Sequence, residues 1–418
     1  MRTSFFPSPP EGEGQGEGAA RDQASAYHPH PPPLPSRERA SKWLIPLTAG
    51  LLVAGLVLPP IREWFFEAGM RWLYVLLLSC AAAAGLTPIM RELARRIGAV
   101  DHPARRKIHT VTTPLLGGVA VYLAFFITLL VNSVGMAVPV FATDEAYAVL
   151  VGGTFIFIVG VADDLWEIPA TAKLLAQLVA AAIVMWSGKL LSLFPSGFVG
   201  DALNVLLTIL WIVGITNALN FLDGMDGLAT GLAVIIAFFL GLVAFQTNQP
   251  TLGWLAMAIL GAGVGFLPYN FKPGASATVF LGDAGSTFLG FTLACLAVKG
   301  NWADQNPIVS LSMPILIFGI LIYDMIHTTV ERMYLGKVKT LKEYLEYVGT
   351  DHMHHRLERA LGSRTESVLV ICLLSIALGL AAVVLRNAHT ADALFLLLQA
   401  TIIVVVISIL EYRGRRHG

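Results

Sequence analysis

Twelve uncharged apolar runs punctuate this chain, at about 43–58, 72–90, 115–131, 146–162, 174–188, 202–222, 227–246, 251–271, 284–298, 307–323, 367–385 and 393–410. No other feature constrains the fold as strongly. In hydrocarbon every backbone N–H and C=O must be satisfied within the chain, and at these lengths only helices manage it. A span needs roughly 20 residues, so the shorter runs extend into their flanks. With 56% of its 418 residues hydrophobic and 13% charged, the chain has too little polar surface to coat a soluble domain. The expected fold class is an all-α polytopic membrane protein, with about eleven core transmembrane helices and one extra N-terminal helix.

The segments divide accordingly. Residues 1–42 hold 8 of the 22 prolines, with Gly, Glu, Ser and Arg filling much of the rest. Such a tail has too little apolar surface to offset its ordering entropy, and is expected to be disordered. Residues 43–69 form the extra helix and a loop, 70–411 the core membrane domain, and 412–418 a basic tail. Cys80, Cys295 and Cys372 all lie in apolar runs without ligand spacing, as structural thiols. Formal net charge is zero, which gives no reason to expect nucleic acid as a partner.

Basic residues set the orientation. Arg91, Arg95, Arg96, Arg105, Arg106 and Lys107 share one loop; a second group runs from Arg332 to Arg364; Arg413, Arg415 and Arg416 close the chain. Alternate loops hold one or two at most. The rich loops and both termini therefore face the cytoplasm, and every polar cluster falls on that side.

Those clusters carry the chemistry. "VADDLWEIPATAK" holds Asp163, Asp164 and Lys173; "NALNFLDGMDGLATG" holds Asn217, Asn220, Asp223 and Asp226. "FLGDAGSTFLG" holds Asp283, "DHMHHRLERALGS" holds Asp351, His352, His354, His355 and Arg356, and "RRKIHTVTTPLLGG" offers Lys107, His109 and Gly117-Gly118. Each has a bland reading: a solvated helix end, an Asp-Gly turn, an N-cap, a basic surface loop or a snorkelling lysine. Their coincidence on one face is harder to dismiss, because carboxylates at a membrane boundary are costly. Oxygen ligands of this kind suit Mg²⁺ beside substrate phosphates. Lys, Arg and His suit a diphosphate. Glycines let backbone approach a ligand. That inventory describes phosphoryl transfer from a nucleotide-type donor, and the apolar spans offer a lipid acceptor a groove open to the bilayer.

Together the motifs resemble the polyprenyl-phosphate N-acetylhexosamine-1-phosphate transferases (glycosyltransferase family 4), over about residues 70–411. Asp-His-x-His-His-Arg resembles the WecA/TagO-type branch; the MraY type instead has Pro-x-His-His-His. The resemblance implies an active site on the cytoplasmic face of a bacterial inner membrane, Mg²⁺ (or Mn²⁺) as cofactor, a UDP-N-acetylhexosamine donor and undecaprenyl phosphate as acceptor; a homodimer is a separate expectation. It implies that Asp163 and Asp164 are catalytic, engaging or deprotonating the lipid phosphate, and that Asn220 and Asp283 hold the metal, Asp283 counting also as catalytic. Lys173 would lie near the donor phosphates and Asp226 at the uracil, with Asp223 between that pocket and the metal. His352, His354, His355 and Arg356 would contact sugar and phosphates. Lys107 is a looser match to a basic position, and Asp324 matches an aspartate of less certain role. The product would be a lipid diphospho-sugar for cell-envelope glycans, with GlcNAc the first-choice sugar. Residues 1–69 lie outside the resemblance, which begins near Met70 as if from an upstream start, and are expected to be dispensable.

Three rivals stand beside this reading. An MraY-type phospho-MurNAc-pentapeptide transferase is disfavoured by the histidine motif. An ion-coupled transporter would carry ionisable groups at mid-bilayer and repeat symmetry, neither of which the sequence displays. A CDP-alcohol phosphotransferase needs Ala-Arg after "DGLA", where this chain has Thr-Gly.

Overall fold

Every apolar run is helical. The computed structural model describes residues 36–102, 112–134, 143–188, 190–302, 307–340, 343, 347, 349–385 and 389–414. Lys107 and His109 lie outside the described residues, as do 1–35 of the expected tail. Two compact units divide the chain, Met1–Lys42 and Trp43–Gly418. Of the first, residues 36–42 are described; they are helical, where the composition predicts disorder.

In chain order the elements are α1 (Ser36–Val57), α2 (Pro59–Glu67), α3 (Arg71–Ile97), β1 (Val100–Asp101), β2 (Thr113–Pro114), α4 (Gly117–Ser133), α5 (Asp144–Trp166) and α6 (Ala170–Trp186). Then follow α7 (Phe198–Phe221), α8 (Leu228–Gln246), α9 (Pro250–Asn270), α10 (Gly282–Lys299), α11 (Pro307–Ile317) and α12 (Gly319–Tyr334). The last are α13 (Met353–Leu361), α14 (Arg364–Val384) and α15 (Thr390–Gly414). This is an all-α polytopic membrane protein, its two short strands forming one antiparallel pair.

Among the described residues, seven helices are long and apolar enough to cross a membrane, or nine if each of two bent pairs is one span. The difference from about eleven has physical causes. The 307–323 run breaks between α11 and α12 with a 77° bend, next to Pro314 and Gly319, where kinks commonly arise. Helices α4 and α6 have 17 residues each, about 25 Å of helix, short of the hydrocarbon thickness. Helix α10 carries Asp283 and Lys299 near its ends and is buried along almost its whole length. It faces protein rather than lipid, so it need not be uniformly apolar.

Helix α10 packs on α4, α5, α7, α8 and α9. Small residues let the backbones approach, as in membrane helix pairs generally. A Cβ on Gly118 would stand 2.2 Å from the Gly285 nitrogen, and one on Gly160 2.6 Å from the Ala284 Cα. Buried Lys299 donates to the Val184 carbonyl (2.9 Å) and to Ser187 Oγ (2.5 Å), closing the C-terminal end of α6. Outward faces are apolar: Trp186 is 93% exposed and Phe198 92%, as expected of lipid-facing side chains. At the start of the core domain, Phe65 and Phe66 of α2 pack on Tyr74 of α3 with ring centroids 5.8 and 5.5 Å apart.

Gly118→Ala should therefore shift α10 without removing any chemical group. Overpacking at a rigid backbone contact costs about 1–3 kcal/mol, read as a lower unfolding midpoint in detergent. A midpoint equal to that of the parent protein would mean the contact can relax.

Candidate active site

The site is assembled at the start of α10. Three backbone hydrogen bonds string the preceding residues to the β2–α4 corner: Phe280 N–H to the Pro114 carbonyl (2.8 Å), Gly117 N–H to Phe280 (3.1 Å) and Gly118 N–H to Leu281 (2.8 Å). Gly282 then turns with φ +74°, and a Cβ there would meet Asp164 Oδ2 at 2.8 Å; only glycine suits such a conformation and approach. Asp164, near the end of α5, accepts from the backbone N–H groups of Asp283 (2.8 Å) and Ala284 (3.1 Å). A carboxylate here satisfies donors the helix cannot satisfy itself and complements its dipole. Both Asp164 oxygens are thus engaged in holding α10.

Asp163 and Asp283 are bridged by one cation. Lys173 Nζ, from the first turn of α6, lies 2.6 Å from Asp163 Oδ2 and 3.1 Å from Asp283 Oδ2. Asp163 Oδ1 accepts from Ile168 N–H at 2.6 Å. The other Asp283 oxygen accepts from Asn220 Nδ2 (2.7 Å), which also donates to Ser286 Oγ (2.9 Å). One turn back on α7, Asn217 exchanges amide hydrogen bonds with Gln177 of α6, at 2.6 and 3.2 Å. Gln177 lies four residues after Lys173 and shares its helix face, so this pair sets the height of Lys173 against α7. Gln177 was missed in the sequence; an amide inside an apolar helix was the available signal.

The loop between α7 and α8 brings in two more carboxylates. Burial first, then the neighbouring carboxylates of Asp283, Asp164 and Asp226, push the Asp223 carboxyl well above the usual carboxylate range, against a hydrogen bond from the Gly282 backbone. Asp226 Oδ2 accepts from Ala277 N–H at 2.7 Å. Behind it, Asn270 at the end of α9 accepts from Gly227 N–H (3.1 Å) and Thr230 Oγ1 (3.0 Å) and donates to the Val279 carbonyl (3.2 Å). Asn270 also escaped the sequence reading, although a carboxamide closing an apolar helix marks it.

The histidine motif behaves differently from the expectation. His352 is 7% exposed, and both ring nitrogens are engaged, Nδ1 2.7 Å from Asp324 Oδ2 and Nε2 3.2 Å from Arg332 Nη2. One tautomer satisfies both, with Nδ1–H donating and Nε2 accepting. Arg356 is 2% exposed and donates to the Asp351 carbonyl, with its guanidinium 3.8 Å from Asp324. His354 is 1% exposed, its ring nitrogens lack hydrogen-bond partners among the described residues, and burial with nearby His355 pulls its pKa down to about 3. Its ring lies against the Asp223–Asp226 loop: a Cβ on Gly224 would come within 2.7 Å of Nε2. So His352, His354 and Arg356 do not line the cavity at this site: polar partners hold His352 and Arg356 inside, and His354 is packed beneath Gly224. His355 does line the cavity.

The cavity has a volume of about 970 Å³. Asp163, Asp164, Lys173, Asp223, Asp226 and Asp283 line it together with Phe280, Lys272 and Arg364. Its size falls in the range of small-molecule sites. Asn220 approaches through Asp283 rather than lining the cavity. Among the described residues no group of three or more His, Cys, Asp or Glu side chains forms a self-sufficient metal cage.

A bundle of apolar helices built around this acidic, lysine-bridged cavity defines a multi-pass membrane protein with its polar chemistry gathered at one site. A family model described as glycosyl transferase family 4 matches residues 146–301. The chain is 31% identical over 347 residues to the probable undecaprenyl-phosphate N-acetylglucosaminyl 1-phosphate transferase of Bacillus subtilis (strain 168), covering 82% of this chain and 92% of that protein. It is 32% identical over 318 residues to the decaprenyl-phosphate N-acetylglucosaminephosphotransferase of Mycobacterium tuberculosis (strain ATCC 25618 / H37Rv), covering 68% and 75%. With the undecaprenyl-phosphate alpha-N-acetylglucosaminyl 1-phosphate transferase of Escherichia coli (strain K12) the identity is 27% over 296 residues, covering 69% and 76%. The chain belongs to glycosyl transferase family 4.

Proposed function

We propose that this protein transfers N-acetylglucosamine 1-phosphate from a UDP-sugar to a polyprenyl phosphate, with undecaprenyl phosphate the expected acceptor. The observation that carries the reading is the Asp163–Lys173–Asp283 constellation on the wall of a nucleotide-sized cavity, with Asn220 behind it bonded to Asp283. The relatives' activities agree with it. An acceptor phosphate oxygen attacks the β-phosphorus of the donor, the bond from that phosphorus to the oxygen bridging to the α-phosphate breaks, and UMP leaves with the electron pair. Transfer of this kind is catalysed by positioning and charge stabilisation.

The donor set fits Mg²⁺, with Mn²⁺ the alternative. Its atoms are hard oxygens, and a cation is already favoured between Asp163 and Asp283, where Lys173 sits. Asp283, with the carboxamide oxygen of Asn220, would hold the ion together with donor phosphates. When bound, it would offset charge on the diphosphate. Lys173 turns its ammonium to the transferring phosphates, and Asp226 with the Phe280 ring faces the nucleoside. Asp163, tied to Lys173, orients the acceptor. A phosphate monoester has a second pKa of about 6, so the acceptor needs no strong base at neutral pH. Asp164 acts through α10, which it caps.

A second cavity, about 910 Å³ and overwhelmingly apolar, lies among α11, α12, α14 and α15, suited to an isoprenoid chain. The basic loops support a cytoplasmic site in a bacterial inner membrane. The deciding experiment incubates purified protein with undecaprenyl phosphate, Mg²⁺ and a panel of UDP-sugars, following UMP release. UDP-GlcNAc should turn over and UDP-MurNAc-pentapeptide should not. No acceptor-dependent UMP from any UDP-N-acetylhexosamine would overturn the reading.

A further inference from the structure

Helix α12 presents two unlike faces. Ile322, Ile326 and Val330 look into the apolar cavity. Asp324, Thr328 and Arg332, spaced four apart and hence on one helix face, are 1–2% exposed. In the sequence Arg332 reads as a basic loop residue that helps to set orientation. In the fold its charge is buried.

Asp351, His352 and Tyr347, from the segment leading into the histidine helix, surround it. Arg332 Nε lies 2.9 Å from Asp351 Oδ2 and its Nη2 2.7 Å from Oδ1, a two-pronged pairing. The same Nη2 reaches His352 Nε2 at 3.2 Å, and the guanidinium carbon stands 4.5 Å from the centre of the Tyr347 ring. Arginine suits this place because its planar fork matches a carboxylate and stacks on an aromatic face, which lysine cannot do together. Through these bonds, burial notwithstanding, the Asp351 carboxyl is held below its ordinary range. One helical stretch earlier, Asp324 accepts from the Met353 N–H (2.5 Å) and from His352 (2.7 Å), capping the start of α13.

Helix α13 has nine residues, too few to persist alone. Its buried side carries Met353, His354, Arg356 and Leu357, whereas His355 lines the cavity. Helix α13 packs on α14 and α15, and the residues at its start are tied to α12 through Asp324 and Arg332, so the rotation and height that place His355 depend on those ties as well. Arg332 itself is absent from the cavity wall. We infer that Arg332 is a positioning residue for the transfer reaction: clamped on Asp351 and His352, it locks α13 against α12 and so holds His355 at the donor cavity.

The inference rests on the reading of that cavity as the donor site, and transfer by the parent protein in the same assay separates failure of one from failure of the other. Arg332→Gln, Arg332→Lys, Asp351→Asn and His355→Gln, singly and as Arg332→Gln/His355→Gln, are assayed for UMP release per folded molecule, with donor and acceptor KM measured separately. Arg332→Gln should raise donor KM about tenfold and leave acceptor KM unchanged, the pattern of lost donor binding. Arg332→Lys should fall between it and the parent, since it restores charge without the fork. His355→Gln should add little on top of Arg332→Gln, because both act on the same contact. If Arg332→Gln does not fold, Asp351→Asn and Arg332→Lys carry the test through the same donor-specific shift. An unchanged donor KM in folded variants, equal effects on both substrates, or full additivity with His355→Gln would overturn the assignment.

Discussion

Asp283→Asn is expected to lower turnover by on the order of 10²–10³-fold, the scale for losing one preorganised electrostatic partner, while leaving the fold intact. The substitution is nearly isosteric and spares the helix cap, because it is the backbone N–H of residue 283, not its side chain, that donates to Asp164. What disappears is the negative charge that Lys173 meets at 3.1 Å and Asn220 meets at 2.7 Å. Without it the lysine pairs with Asp163 alone, and the amide of Asn220 faces another amide. A hard divalent ion would lose its one charged protein ligand at this place, so the residual rate should also demand more Mg²⁺. Steady-state UMP release titrated with Mg²⁺ gives both readouts. Retention of more than about a tenth of the parent rate at the parent's metal requirement would remove Asp283 from the centre of the chemistry.

Why some of this arrangement could be read from the chain and some could not is itself physical. Hydrophobic runs report a solvent, so each of the twelve apolar runs falls on helix, the 307–323 run on two of them, whereas the short α2 and α13 carry no such run and were not legible. Charge in apolar surroundings reports cost, so Asp163, Lys173, Asp223, Asp226 and Asp283 could be singled out, and the fold gathers them on one cavity. Residue type does not reveal which atoms are already spent. Asp163 and Asp164 are neighbours of identical chemistry, yet they face different elements because successive residues on a helix point about 100° apart. The histidine motif shows the same limit. His354 and His355 are adjacent, but one is packed beneath Gly224 and the other lines the cavity. Nor does a hydropathy run disclose its neighbours: the 284–298 run and the 202–222 run look alike, but α10 is enclosed by protein, whereas α7 leaves Leu206 and Leu210 exposed. The bend at Phe318 was hidden for a related reason, since Pro314 and Gly319 permit a break without requiring one.

The contrast between the paired aspartates makes the second large effect. Asp164→Ala should be as damaging to transfer as the loss of Asp283, on the order of 10²-fold or more, and should also lower stability by about 1–3 kcal/mol. Removing the carboxylate takes from the N–H groups of Asp283 and Ala284 the acceptor they meet at 2.8 and 3.1 Å, in a partly buried place. The first turn of α10 would then loosen, and that turn carries Asp283 into the cavity. Asp164→Asn keeps one acceptor oxygen on a side chain of the same shape, so it should retain part of the cap and exceed Asp164→Ala in activity by about tenfold, a difference of about 1.4 kcal/mol in the barrier. A residue acting by proton transfer would give the opposite pattern: Asn and Ala equally inactive, with unfolding midpoints unmoved. Turnover and thermal midpoints of the two variants, measured side by side on purified protein, separate the cap from the base.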